Sequence, residues 1–409
     1  MRRFASSVRA GALPLVAAGV ALAAVLALAC TRDERTPAST ALALGEEHTC
    51  LLAPSGQIQC WGQNAHLQLG TGSNVDSAWP TYVRGFTKAA RELRSGGFHS
   101  CAVDLQSALW CWGQGASGRL GTGELFAQST PTRARLLEAP VELRLGGQHS
   151  CARHADGRVA CWGQNAFMQL GDGTRVDRAV PTEVVGLKGV TGLALGGDHT
   201  CAIVRAREVF CWGRNFAGQL GDGTREERAT PTQVALIDAA DPPVSLALGG
   251  GHSCAVLRSG QVACWGLNVD GQLGLGRRDE GTSSPERSRA LRDITSVALG
   301  GDFGCALEGA GLVFCWGRAT YGQLGEGSLA ADEGELHRLQ PTRVTGLEDV
   351  AELAAGGCHV CARTRRDEVW CWGRNHHGQL GDGTRTPSAS PLHILVRPQL
   401  GSVQRVGVQ

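Results

Sequence analysis

The sequence predicts an all-β fold, a seven-bladed β-propeller of four-stranded antiparallel blades with one disulfide in each blade. Cys-Trp-Gly recurs seven times, and each time another cysteine lies ten residues before it. The pairs are Cys50 and Cys60, Cys101 and Cys111, Cys151 and Cys161, Cys201 and Cys211, Cys254 and Cys264, Cys305 and Cys315, Cys361 and Cys371. They use 14 of the 16 cysteines and divide the chain into units of 50 to 56 residues, a period that marks repeat and propeller architectures. Within a unit, four short β-prone stretches alternate with glycine-rich turns, as in successive antiparallel hairpins. A residue written seven times supports the unit, so a functional site is sought among residues written once.

A leader precedes the repeats. Arg2 and Arg3 stand before an uncharged run from Ala12 to Ala29 that ends in Ala27, Leu28, Ala29 and Cys30. A basic start, an apolar middle and small residues at the end make an export signal, so residues 1–29 are read as a signal peptide. Cys30 resembles the acylated cysteine of the bacterial lipoprotein lipobox, although Ala27 stands where leucine is preferred and Leu26 lies one place earlier. The alternatives are an uncleaved membrane helix, since these 18 residues just suffice to span a bilayer, and a secreted soluble form. Residues 30–40 then form a flexible tether and 41–409 the propeller. This reading places the protein outside the cytoplasm, lipid-anchored in a bacterial cell envelope.

Basic and acidic residues nearly balance at 39 and 38. Loss of a leader holding Arg2, Arg3 and Arg9 and no acid takes the formal charge from +1 to −2. No basic stripe exists, so nucleic-acid binding through phosphate neutralisation has no support.

The fourth unit shows the plan of a blade. Strand A is placed at Val190 to Leu195, B at Thr200 to Val204, C at Glu208 to Trp212 and D near Pro231 to Val234. In the first unit Pro54, Ser55 and Gly56 make a three-residue hairpin loop with glycine in the left-handed region. Counting outward pairs 53 with 57, 52 with 58, 51 with 59 and Cys50 with Cys60. In a non-hydrogen-bonded pair their Cα atoms lie about 4.5 to 5.5 Å apart, within disulfide reach. Ser107, Arg207 and Glu368 are read as replacing the turn glycine in three other units. Zinc ligands come two to four residues apart, unlike these pairs, and export favours oxidation. Each bridge closes a loop worth about 2 to 3 kcal/mol.

Gly-x-His-Ser/Thr-Cys sets His48, His99, His149, His199 and His252 beside a cysteine, and His359 follows with Val360. A Cys–His pair suits a nucleophile and its base. Six copies beside an oxidised cysteine suit a packed, hydrogen-bonded histidine instead. Asp172, Asp222 and Asp382 are read as capping turn amides; calcium would need more carboxylates per site. No cofactor, metal or catalytic residue is assigned.

The string Cys-Trp-Gly-x-Asn-x-x-Gly-Gln-Leu-Gly-x-Gly, followed by Pro-x-x-Val and a new Gly-Gly-x-His, closely resembles the repeat of the regulator of chromosome condensation family. Cys211 to Gly223 matches almost throughout, and the likeness spans about residues 41 to 397. It implies a seven-bladed propeller, in a form like that of exported bacterial lipoprotein members. Gly115 and Ala319 replace the usual Asn, and Phe303 and Gly304 replace His and Ser/Thr. Leu400 to Gln409 resembles strand A of an eighth unit although Ala41 to Gly45 already supplies one, which leaves ring closure open. The nucleotide exchange of the founding nuclear member is not transferred, because fold does not fix function.

Up-and-down blades bring the A–B turns and the long C–D loops to one face. At the loop tips the residues before Gly-Gln-Leu differ, giving His66, Phe167, Phe216, Tyr321, His376 and His377 as candidate partner-binding residues. The same aromatics also suit covering the core edge. In the sixth unit thirteen residues, 328–340, separate Gly327 from Pro341 where seven separate Gly223 from Pro231, and they carry three acids. Such a loop either marks function or is an idle insertion. Cys358 spells Cys-x-x-Cys with Cys361, but Cys361 has Cys371, so Cys358 is expected to be a buried or capped free thiol.

The expected function is a non-enzymatic, monomeric, membrane-anchored propeller that binds a protein or envelope polymer through its loop-ringed face. One alternative is a propeller inhibitor of a secreted enzyme such as a β-lactamase. Another is an enzyme acting on polysaccharide, which needs converging acids; at the tips only Asp270 stands out.

Overall fold

The structure is a computed structural model describing residues 40–136, 138–235, 240–329 and 336–396. The leader, Cys30, most of the tether and Leu400 to Gln409 lie outside the described residues. Among these residues 28 strands form seven four-stranded antiparallel sheets, each in the order A-B-C-D along the chain. Every blade is therefore one continuous segment. Blade 1 begins with its own strand A, Ala41–Leu44, and blade 7 ends with its own strand D, Ser388–Ile394. Among the described residues no strand is exchanged to close the ring.

The hairpin count is borne out. Leu52 faces Ile58, Leu51 faces Gln59 and Cys50 faces Cys60, with Gly56 at φ +79°. All seven cysteine pairs stand at bonding distance, with S–S between 2.05 and 2.12 Å and Cα atoms 4.1 Å apart. That is slightly closer than cross-strand pairing alone suggests.

Three local readings are corrected. In blade 7 the left-handed turn residue is Asp367, one place before Glu368, and in blade 4 Arg205 and Ala206 both take positive φ while Arg207 does not. Strand D of blade 4 runs Arg228–Gln233, starting before Pro231. It starts early because strand D bulges opposite Trp212, with residues 229–231 facing that one residue, so that Gly213 pairs with Arg228, and Asp222 holds Arg228 at 2.7 Å. The Gly of Cys-Trp-Gly follows this bulge; at Gly213 φ is +103° and a Cβ would come 2.7 Å from the Asp198 carbonyl. Lastly, the end of the sixth-unit insert is not free loop, since strand D of blade 6 takes in His337–Arg343.

The core is a ring of inter-blade layers. Each of the seven hydrophobic clusters joins residues of two neighbouring blades around one tryptophan of Cys-Trp-Gly, all seven of which are fully buried. Six of them donate Nε1–H to a carbonyl of the preceding blade, as Trp212 does to Gln169 at 3.0 Å. Trp61, at the joint between blades 7 and 1, has no such partner.

A second ring is polar. His48, His99, His149, His199 and His359 each meet the Ser or Thr of the next blade through Nε2, at 2.8 to 2.9 Å. His359 reaches Thr49, so this couple also closes the ring. Blade 6 interrupts it: Phe303 packs in one cluster with Val360, and His252, with Gly304 in the Ser/Thr place of the next blade, has no hydroxyl to meet and turns to the Phe303 backbone instead. The histidines are structural, as their repetition suggested.

Candidate functional site

The A–B turns and C–D loops share one face. Asp198 of an A–B turn and Arg214 of a C–D loop lie 3.1 Å apart. Beneath the tips the frame is fixed from within. Asn165 donates from Nδ2 to Asp172 and to carbonyls of the same loop, and accepts from the Leu170 amide at 3.0 Å. The Asp172 Oδ1 accepts the Thr174 amide at 3.0 Å, the capping role expected, and Asp222 and Asp382 do likewise. The Gln169 side chain accepts the amide of Phe167 at 3.0 Å and sets the tip.

The candidate residues all lie on this face, but most reach across a joint rather than standing free. His66 packs on Phe98 of the next blade, ring centroids 4.8 Å apart. The rings of Phe167 and Phe216 both meet the Arg214 guanidinium, at 4.4 and 4.6 Å; Phe216 is 50% exposed. Tyr321 lies 5.0 Å from the guanidinium of Arg374 and edge-on to His376 at 5.6 Å. His377 Nδ1 meets Asp76 across the closing joint at 2.9 Å. Asp270 meets His337 at 3.4 Å, and Asp302 has Arg318 at 3.8 Å.

Sequence reasoning missed the partners of these tips. Arg214 and Arg374 follow Cys-Trp-Gly; Phe98, Asp198 and Cys358 occupy the x of Gly-x-His, and Glu47 and Asp302 the same place in Glu46-Glu47-His48 and Gly301-Asp302-Phe303. Both places look like frame in a repeat, yet they vary from blade to blade, and that variation was the available signal. At the closing joint Glu47 is bonded by both Arg374 and Gln379. Burial holds its carboxyl above the usual range, against the pull of Arg374 and His377. Burial raises the Asp302 carboxyl too, aided by the charge of Asp270. Cys358 is an unpaired, half-buried thiol pushed up to about 11, chiefly by burial and then by the Glu47 charge; a thiol so raised is a poor nucleophile.

On the outer loops Val75, Phe126 and Val176 are exposed at equivalent places in blades 1 to 3, where blades 4 and 5 carry Glu226 and Asp279. At the axis the A–B turns leave a small opening walled by the last residue of each strand A.

A closed ring of disulfide-bridged blades bearing variable loops on one face defines a repeat propeller. The regulator of chromosome condensation (RCC1) repeat matches at residues 55–103, 107–153, 156–203, 208–256, 259–307, 310–363 and 366–407. The chain belongs to this family. Each of the first six matched segments starts in one blade's B–C hairpin and ends in the next blade, so the sequence repeat straddles a joint.

The human E3 ubiquitin-protein ligase HERC2 is 31% identical over 357 residues, covering 86% of this chain and 5% of that protein. The probable E3 ubiquitin-protein ligase HERC6 of Homo sapiens is 36% identical over 159 residues, 37% of this chain and 15% of that protein. The chain thus spans only a small part of such relatives. Among solved structures, Prp20p from Saccharomyces cerevisiae superposes with a TM-score of 0.74 at 23% identity, covering 87% of this chain and 88% of that one. Human WBSCR16 gives 0.75 at 21%, covering 83% and 94%. These likenesses show the fold.

Proposed function

We propose that this protein is an exported, lipid-anchored binding module that takes a protein or envelope polymer on its loop-ringed face and performs no chemistry there. The observation that carries the reading is the contrast on that face: the frame beneath the tips repeats, while the tips themselves differ. Rigid loops with differing residues recognise a partner at small entropic cost. Seven buried cysteine pairs suit an oxidising compartment, and the leader ending at Cys30 suits acylation there. Yeast Prp20p, whose fold this chain shares, is described as a protein binder, in complex with Kap60 and in its binding to Gsp1p and histones. That supports the class of partner without naming it.

An inhibitor of a secreted enzyme is a narrower form of this reading, favoured by an opening at the centre of the face. The test replaces Phe216, Tyr321, His376 and His377 together by Ala and measures capture of envelope components against thermal stability. Binding is expected to fall at least tenfold with a small change in Tm. A large fall in Tm with binding intact overturns the assignment and moves the search to the opposite face.

A further inference from the structure

The axial opening draws its wall from all seven blades: the last residue of each strand A, leucine in five and Ser95 and Ala355 in the other two. Its rim is the residue pair that follows, Gly-Gly in six blades and Gly45-Glu46 in blade 1. At about 220 Å³ it is smaller than the roughly 300–1,000 Å³ of pockets that enclose drug-sized ligands.

The rim is chemically one-sided. The first amide of each turn donates within its own blade, as Gly45 does to His48 at 2.8 Å. The second donates to the next blade around the ring, as Glu46 does to Gly97 at 3.2 Å and Gly357 to Glu46 at 3.0 Å. Every backbone donor of the rim is committed, which leaves carbonyl oxygens and one carboxylate. Glu46 is exposed, its Cγ lies against Gly357, and Arg374, whose charge acts on it, is already bonded to Glu47.

We propose that this opening is the recognition pocket of the face and receives the tip of a partner protein's loop. One large apolar side chain fills the leucine-walled space, and a neighbouring lysine or arginine meets Glu46 and the rim carbonyls. The occupant follows from charge and shape. An acceptor-only rim attracts a cation and the wall is apolar; the Gly-Gly pairs are required by the close approach of neighbouring blades, as at Gly97, where a Cβ would come 2.5 Å from the Gly147 carbonyl, and they hang no side chain over the mouth. The proposal rests on the loop-ringed face being the binding face.

The test titrates the full chain with a disulfide-cyclised peptide carrying Arg-Phe at its tip, beside Glu-Phe and Arg-Ser versions, by fluorescence anisotropy. The Arg-Phe peptide is expected to bind at least tenfold more tightly than either control. Gly301→Leu plugs the mouth at a rim position where an added Cβ meets only the Gly357 carbonyl, at 3.2 Å, and should abolish binding with Tm unchanged. Glu46→Lys should reverse the preference towards Glu-Phe; this variant decides the matter if Gly301→Leu unfolds. No saturable binding of the Arg-Phe peptide up to about 1 mM, or binding indifferent to both substitutions, overturns the proposal. The partner captured from the envelope separates the two readings. If it is lost with the tip variant but kept with Gly301→Leu, the face stands and the pocket falls; if neither variant affects it, both fall.

Discussion

At the scale of single residues, the sequence announced that the histidines pack but not what they pack against. The partner of His48 is Ser100, a whole unit further on, and no local spacing reveals a contact made across a joint. The same distance hid the sense of the blade 6 departures: Phe303 and Val360 are two halves of one apolar substitution for a His–Ser couple. Phe303→His alone should destabilise by about 2–4 kcal/mol, through lost burial and an unpaired imidazole. Adding Val360→Ser should recover about 1–2 kcal/mol as a coupling energy, read from urea unfolding of the four cycle members. The intact couples also make stability depend on pH. Burial lowers the imidazoles of His48, His149, His199 and His359 to about 3. They therefore stay neutral in the folded ring while the unfolded chain takes up protons near pH 6.5. Their contribution is complete above about 6.5 and is lost as pH falls towards 3, by up to about 1.4 kcal/mol per pH unit for each histidine. His199→Gln should flatten the slope of unfolding free energy between pH 6.5 and 4.5 by up to that amount.

At the scale of elements, the B–C hairpin was fully legible, since a three-residue turn fixes the register and the register places each cysteine opposite its mate. Strand D was not, because its own bulge opposite Trp212 shifts the pairing and only the Asp222–Arg228 contact shows where it starts. The tips were legible as a variable set, but their stacking on Arg214 and Arg374 was not, since those arginines sit in a string that otherwise reads as frame. Replacing Cys201 and Cys211 together by Ser should lower stability by about 2–3 kcal/mol. Non-reducing mass spectrometry of that variant should still show the other six bridges, each between cysteines ten residues apart. A bridge between different blades would contradict the hairpin account.

At the scale of the whole molecule, the number of blades could be counted from the cysteines, but the manner of closure could not, since the sequence offers two candidates for the first strand A. Blade 1 keeps its own, and blade 7 meets it through His359 on Thr49 and Glu352 on the Leu42 amide at 3.1 Å. If Cys30 is acylated, Cys30→Ala should leave a precursor or release the protein from membranes on fractionation, whereas unchanged membrane retention with an intact leader would indicate a spanning helix. The direction of that first strand has a further consequence. Ala41–Leu44 runs towards the A–B turn at Gly45, so the chain enters blade 1 at the end away from the variable loops. The ring is thus built like a corolla, its open side opposite the point where the stem joins it.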